Sequence, residues 1–260
     1  MKRTLPSTAT LLLLAMASAL AVAADAGSGY RYVEGGDFRS SVRFEEASRV
    51  VRVASFSLMD KPVSNREFAD FLVHQPQWRR DHIPSVFASP GYLGQWARAD
   101  APGEGVDPDA PVVHVNWYAA DAYCRAQQAR LPRFLEWEYA AAADATRRDA
   151  RGDRAWRVRQ VNDGTPHAID AAPGAPANAY GIRGLHGAHW EWSEDVASLL
   201  GDGDRRGQQD GDALRYCGAT AMSFNDPGDY GVVKRFVLLS ALQPGATLGN
   251  LGFRCARSTP

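Results

Sequence analysis

Apolar residues with helical spacing are sparse in this chain, and glycine, proline and tryptophan interrupt most of the remaining sequence. Ser64 and Glu67 have the spacing of a capping box at a helix N-terminus. Phe68, Phe71 and Leu72 then fall on one face of the helix that follows. The pattern therefore predicts a first helix that begins after Ser64 and buries this aromatic face.

Two more helices are predicted in the middle of the chain. Asn116 can cap a helix over residues 117–129, and Pro132 interrupts the chain after it. A third helix is predicted over residues 134–146, with Trp137 facing inward. Trp137, Trp190 and Trp192 are large apolar bodies with one N–H each, suited to joining loops to a core.

Short apolar runs near the end of the chain predict strands between turns, at residues 232–233, 236–239 and 251–253. Polar or glycine-rich segments predict surface loops at residues 97–111, 147–159 and 201–212. The last of these resembles a calcium loop only superficially, because its spacing does not fit the calcium-binding pattern. Together these patterns indicate one irregular mixed domain held by packed loops and tryptophans.

The N-terminus has the form of a secretory signal peptide. Lys2 and Arg3 precede an apolar run over residues 11–22, and residues 21–23 give an A-x-A cleavage signal. The alternative is a membrane anchor, but the run is shorter than the ~20 residues that span a bilayer. We expect a signal peptide at residues 1–23, a single domain at 24–260, no membrane span after cleavage, and a periplasmic or secreted protein.

Charge and cysteine content limit the classes of partner and cofactor. The formal net charge is −1, and loss of Lys2 and Arg3 makes it more negative, so nothing favours nucleic acid or anionic lipid. The three cysteines are Cys124, Cys217 and Cys255, of which two are expected to pair after export. Their spacing leaves all three pairings open, and the lack of a CxxC argues against a cysteine metal cluster.

Short motifs occur in a fixed order along nearly the whole mature chain. They are DKPVSNREF at 60–68, PVVHVNW at 111–117, RLP at 130–132, EWEYA at 136–140, NAYG at 178–181, GAHWEW at 187–192 and NLGFRC at 250–255. In this order they resemble the formylglycine-generating-enzyme family, also called the sulfatase-modifying-factor family. The resemblance implies an α+β, irregular C-type-lectin-like fold with low regular secondary structure. It also implies a disulfide between Cys124 and Cys255. Cys217 is then the remaining thiol, and we expect it to be buried and inert rather than reactive, because free cysteines are among the most buried residue types.

The chain departs from the family at the position of its chemistry. Active members carry two cysteines shortly before the terminal motif, which bind copper(I) and take the substrate thiol. Residues 218–254 contain no cysteine, so copper at a cysteine pair and the oxidation of cysteine to formylglycine are not expected. Ala188 replaces an asparagine in a segment that holds structural calcium in the family, so a calcium site is possible but weakened.

Two groups of residues are candidates for other chemistry. His186, His189 and Glu191 could hold iron, copper or zinc, although a loop histidine beside a structural tryptophan is the simpler interpretation. Asp226, Asp229, Tyr230, Lys234 and Arg235 occupy the stretch where the family carries its cysteines, and could line a pocket. The alternative for this second group is a surface turn at residues 226–228.

These observations leave three hypotheses for the function. The first is a maturation or accessory factor that binds a protein or peptide partner without copper–cysteine chemistry. The second is a metal-dependent oxidase or tailoring enzyme with altered chemistry. The third is a lectin-like ligand-binding module, which rests on fold analogy alone.

Overall fold

The computed structural model describes residues 29–42, 50–163, 176–187, 189–195 and 224–259. Within these ranges the chain is a mixed α+β fold with short elements and long connecting loops. The strands are β1 (Tyr30–Val33), β2 (Gly36–Phe38), β3 (Val51–Val53), β4 (Phe56–Met59), β5 (Trp190–Glu191), β6 (Leu251–Gly252) and β7 (Ala256–Ser258). The α-helices are α1 (Asn65–His74), α2 (Trp117–Ala126), α3 (Phe134–Ala141), α4 (Arg154–Asp163) and α5 (Tyr230–Ala241), and a 3₁₀ turn covers Pro76–Trp78.

The strands bring distant parts of the chain together. A three-stranded antiparallel sheet has the order β1-β4-β7, with Tyr30 opposite Met59 and Phe56 opposite Ser258. Strands β2 and β3 form a separate antiparallel pair, and β5 and β6 form a short parallel pair. A side chain at Gly252 in β6 would overlap the carbonyl oxygen of Val112, so this close approach requires glycine.

The first two predicted helices are confirmed, although the second ends at Ala126 rather than at residue 129, and local capping explains their starts. The Ser64 hydroxyl accepts the backbone N–H of Glu67, whose carboxylate accepts the Ser64 backbone N–H in return. Asn116 caps α2 by accepting the backbone N–H of Ala119 at 2.8 Å. These side chains satisfy backbone donors that a helix N-terminus leaves without intrahelical partners.

The core forms where α1, α2 and the C-terminal segment meet. Phe68 of α1 is fully buried and contacts the rings of Phe71, Trp96, Tyr123 and Phe253. Beside this cluster, a disulfide joins Cys124 of α2 to Cys255, which are the pair that the family resemblance implies. The aromatic cluster and the disulfide thus tie the C-terminal segment to the two capped helices.

Two tryptophan N–H groups join loops to this core. The role is confirmed for Trp192 and is shared by Trp117, which the sequence analysis did not name, whereas the N–H of Trp137 has no partner among the described residues. The Trp192 indole N–H donates to the carbonyl of Val115, and the Trp117 indole N–H donates to the carbonyl of Ser193, each at 2.8 Å. Trp192 is fully buried. These bonds hold the loop around residues 192–193 against the start of α2.

The structure corrects the third predicted helix and two of the predicted strands. The third helix ends at Ala141, because Asp144 closes a turn by accepting the backbone N–H groups of Thr146 and Arg147. Residues 232–233 and 236–239 are helical, so the strands predicted there are wrong. Their buried residues Val232, Phe236 and Leu239 recur at i, i+4 and i+7, which is the spacing of one helix face.

Some of the remaining predictions are confirmed only in part, and others fall on residues outside the described ranges. The predicted strand at 251–253 is confirmed over Leu251–Gly252, and the charged loop predicted at 147–159 gives way to α4 at Arg154. The signal peptide, the loop at 201–212, Ala188 and Cys217 lie outside the described residues. None of the described helices is long and apolar enough to cross a bilayer.

Candidate binding pocket

A pocket of about 280 Å³ lies between α3, α5 and the segment that leads into β5. Its lining includes Trp137 from α3, His189 and Trp190 from the segment, and Lys234 and Arg235 from α5. Tyr230 and Gly231 complete one side at the start of α5. The pocket is therefore built by parts of the chain that are far apart in sequence.

Helix α3 is held in place at its N-terminus. The Glu136 carboxylate accepts the backbone N–H of Arg133 at 2.8 Å and forms an ion pair with Arg130 at 2.6 Å. The carboxylate of Asp195 accepts the backbone N–H of Phe134 at 3.0 Å. Both carboxylates lie at the end of the helix where backbone N–H groups favour negative charge, and this fixes the helix that carries Trp137.

Arg235 is the buried cation of the pocket, and its side chain is 4% exposed. Its guanidinium lies over the Trp137 ring, 3.9 Å from the ring centroid, and its Nη2 donates to the backbone carbonyl of Glu191. Burial lowers the pKa of Arg235 to about 10, and Glu191 opposes this effect. Arg235 is therefore a desolvated cation that is still protonated at neutral pH.

Three polar atoms around the pocket have no hydrogen-bond partner among the described residues. They are Nε of Arg235, Nε1 of Trp137 and Nδ1 of His189. Burial lowers the pKa of His189, with an opposing contribution from Glu191, so its imidazole is neutral at neutral pH. Buried N–H groups normally have acceptors, and two donors without one on the same pocket are unusual.

The three candidate metal ligands have different surroundings. Nε2 of His186 lies 2.5 Å from the carbonyl of Ala141, and its ring packs edge-on against Trp137 and Trp156. The Glu191 carboxylate is buried and bound by Arg254, with Nε and Nη2 at 2.8 and 2.7 Å. Within the described ranges no group of three histidine, cysteine, aspartate or glutamate residues could hold a metal, and the proposed ligand set stays a prediction.

The five pocket candidates from the 226–235 stretch divide into two sets. Tyr230, Lys234 and Arg235 line the pocket. Asp226 accepts the backbone N–H of Gly228 in the predicted turn and pairs with Arg157 at 3.1 Å. Asp229 is buried and accepts the Ser41 hydroxyl at 2.9 Å, so it attaches the start of α5 to the N-terminal segment.

A second buried carboxylate lies beside Asp229. Glu138 of α3 accepts the Ser40 hydroxyl at 2.5 Å and the Ser41 backbone N–H at 2.6 Å. Burial raises the pKa of Glu138 to about 7, although both of these hydrogen bonds act to lower it. Sequence analysis did not single out this group, because the carboxylate lies in a helical motif and its partners lie in another part of the chain.

Sequence comparison identifies the family. The chain matches the sulfatase-modifying factor enzyme 1-like domain over residues 21–259. The chain belongs to this family. Three proteins with sequence similarity to this chain carry different functional names.

Inactive C-alpha-formylglycine-generating enzyme 2 of Mus musculus is 27% identical over 88% of this chain and 84% of its own length. The formylglycine-generating enzyme of Streptomyces coelicolor is 35% identical over 62% of this chain, which spans 55% of that protein. Hercynine oxygenase of Mycolicibacterium thermoresistibile is 33% identical over 57% of this chain and 37% of its own length.

Solved structures show more distant similarity. PvdO from Pseudomonas aeruginosa aligns with 88% of this chain and 94% of its own length, at 16% identity and a TM-score of 0.47. The structure of CarF aligns with 89% of this chain and 98% of its own, at 14% identity and the same TM-score. The mixed α+β class with little regular secondary structure is confirmed, whereas the relation to C-type lectins stays a prediction.

The described side chains of this family member do not fit the copper(I) site that active members form with two cysteines. Cys124 and Cys255 are joined in a disulfide and provide no thiolate. The stretch before the terminal motif is helix α5, which presents a phenol, an ammonium and a guanidinium to the pocket. Nitrogen and oxygen donors of this kind are poor ligands for copper(I), which prefers thiolate.

Proposed function

We propose that this family member is an exported accessory factor that binds a peptide segment of a partner protein in the pocket between α3 and α5. The observation that carries the proposal is the pocket itself, where aromatic and cationic side chains stand in the stretch that carries the cysteines in active members. The signal-peptide pattern of residues 1–23 supports export.

The size and composition of the pocket favour one or two side chains of a peptide. Its volume of about 280 Å³ is just below the roughly 300–1,000 Å³ of pockets for drug-sized ligands. Tyr230 is 53% exposed and Trp190 is half-buried, so an aromatic edge is available to an approaching chain. Aromatic residues with a polar end are enriched at protein interfaces for this reason.

A peptide array provides the first test, and two glycines provide a matched pair of variants. A side chain at Gly231 would enter open space in the pocket wall, and a side chain at Gly152 would enter open space at an exposed turn elsewhere. Gly231→Phe should therefore place a ring at the pocket wall and obstruct binding, and Gly152→Phe should leave the pocket unchanged.

The array would display 12-residue peptides from exported proteins of the source organism. We expect the wild-type protein and Gly152→Phe to bind the same subset of peptides, and Gly231→Phe to bind that subset at least tenfold more weakly. Equal binding by the two variants, or no binding above background, would contradict the proposal. Formylglycine production by the purified protein on a cysteine peptide would also contradict it.

A metal-dependent oxidase is the second candidate, and the buried Nδ1 of His189 without a described partner is the observation that favours it. The measurement is the metal content of protein purified without chelators. Stoichiometric copper or iron that is lost in a His186→Ala/His189→Ala variant would support the oxidase. Protein without such metal would favour the accessory role.

A further inference from the structure

Two buried donors on the pocket wall require an acceptor that the described residues do not supply. Trp137 is 2% exposed and Arg235 is 4% exposed, and each lines the pocket. The Nε1–H of Trp137 and the Nε–H of Arg235 have no partner within the described part of the chain. Since an unsatisfied buried donor destabilises a fold, such donors indicate a place where a ligand completes the hydrogen bonding.

The charge of this wall specifies the kind of acceptor. Arg235 donates to the backbone carbonyl of Glu191, while the Glu191 carboxylate accepts hydrogen bonds from Nε and Nη2 of Arg254. The Asp195 carboxylate is engaged by the backbone N–H of Phe134. Both carboxylates favour the charged form of Arg235. The described hydrogen bond of its guanidinium goes to the Glu191 carbonyl, so its Nε–H is the donor that is left for a ligand.

Lys234 adds a second positive charge at the rim. Its ammonium lies 5.4 Å from the centroid of the Trp190 ring, and the side chain is exposed. An exposed ammonium contributes little to affinity in a fixed geometry, but it attracts an anion towards the pocket. A buried donor pair with an exposed cation at its entrance is suited to a small, planar anion.

We propose that this pocket binds a carboxylate, which accepts hydrogen bonds from the Nε–H of Arg235 and the Nε1–H of Trp137. The inference rests on the proposed function, because the carboxylate belongs to the bound peptide. It comes either from an acidic side chain or from a free C-terminus, and both sources present the same planar pair of oxygens. Hydrogen bonds to a charged acceptor are the stronger class, which favours a carboxylate over a neutral amide of equal shape.

Blocked amino acids test the inference without a known partner. The probe is N-acetylglutamate α-methylamide, titrated into ¹⁵N-labelled protein expressed from the full 260-residue sequence. The indole N–H signal of Trp137 is assigned by its disappearance in Trp137→Phe. We expect this signal to move downfield and saturate, because its proton gains a charged acceptor.

Two matched probes are needed. One tests whether the charge of the probe matters beyond its shape, and the other distinguishes an acidic side chain from a free C-terminus. N-acetylglutamine methylamide has the same shape without the charge, and we expect it to bind at least tenfold more weakly. N-acetylglutamine carries its carboxylate at the C-terminus only. If it binds as tightly as the glutamate probe, the site accepts a C-terminus, and weaker binding assigns the site to an acidic side chain.

Conservative variants test the two donors. Arg235→Lys keeps the charge but removes the Nε–H, and Trp137→Phe keeps an aromatic ring but removes the indole N–H. Each should weaken binding of the glutamate probe by about tenfold in calorimetry. The control Arg125→Met removes an exposed arginine of α2 that pairs with Asp121, and it should bind as wild type does. The remaining indole signals report whether each variant is folded.

The carboxylate site would be overturned if the uncharged N-acetylglutamine methylamide bound as tightly as both carboxylate probes, or if folded Arg235→Lys and Trp137→Phe kept full affinity. These failures differ from failure of the proposed function. A protein that binds array peptides without preference for acidic side chains or free C-termini keeps the accessory role and loses the carboxylate site. A protein that binds the glutamate probe but no peptide keeps the site and loses the accessory role.

Discussion

Removal of Arg254 should destabilise this protein more than removal of any exposed arginine. Its side chain is 0% exposed and that of Glu191 is 1% exposed. Besides its two bonds to Glu191, Arg254 donates to the carbonyls of Met59 at 3.1 Å and Arg183 at 2.9 Å. One guanidinium therefore joins the end of β4, the loop at residue 183, and β5.

The expected magnitude follows from what Arg254→Met leaves behind. The variant buries an unpaired Glu191 carboxylate and removes a donor from each of two carbonyls. Breaking a buried ion pair by removing one partner costs about 3–5 kcal/mol of the free energy of unfolding. Because each kcal/mol lowers Tm by roughly 2–4 °C in a domain of this size, we expect Tm to fall by on the order of 10 °C.

Urea unfolding followed by tryptophan fluorescence, with the disulfide kept oxidised, measures this effect. The double variant Glu191→Leu/Arg254→Met leaves neither charge of this pair buried without its partner, so it should be more stable than Arg254→Met by about 2 kcal/mol. Arg66→Met removes an exposed arginine that pairs with Asp109 and should change stability little. A loss below about 1 kcal/mol in Arg254→Met, or a double variant less stable than the single one, would refute the reasoning.

Three further predictions concern the scaffold. Replacing both Cys124 and Cys255 by alanine opens a loop with a sequence separation of 131 residues, and urea unfolding should show a loss of about 4–5 kcal/mol; a loss below about 1 kcal/mol would contradict the entropic estimate. Burial raises the pKa of Glu138 from 4.5 to about 7, so in this pH range the folded protein holds a proton that the unfolded chain has released. The free energy of unfolding should therefore fall by on the order of 3 kcal/mol as pH rises from 4.5 to 7. Thermal unfolding of Glu138→Gln should depend less on pH than that of the wild type. An identical pH dependence of the two proteins would be inconsistent with this assignment. Ser64→Ala removes the cap of α1 and should lower the free energy of unfolding by about 1 kcal/mol, measured against Ser64→Thr, which keeps a capping hydroxyl.

The elements that sequence analysis predicted well are those with local causes. The caps at Ser64 and Asn116 act on backbone groups within three residues, so their patterns are visible in a short stretch of sequence. The motif order along the chain likewise indicated the family, which the match over residues 21–259 establishes. The absence of cysteine from residues 218–254 is also a property of the sequence alone, and it is the reason that copper–cysteine chemistry is not proposed.

Helix α5 shows where the local pattern was ambiguous. Its apolar runs are short and contain β-branched valine, which favours strands, and only the full spacing of Val232, Phe236 and Leu239 reveals a helix face. Packing of that face against the core outweighs the local preference, as the contact between Phe236 and Phe134 of α3 illustrates. Short apolar runs do not distinguish a buried strand from a buried helix by periodicity alone.

The sequence by itself determined the family, the capped helices and the candidate role of Tyr230, Lys234 and Arg235. Only the tertiary structure placed Trp137 against Arg235, bound Glu191 to Arg254 and turned Asp229 towards the N-terminal segment. The physical reason is that hydrogen-bond satisfaction is a property of the packed chain. Whether a buried N–H or carboxylate has a partner depends on residues brought from distant segments, and no local pattern records that pairing.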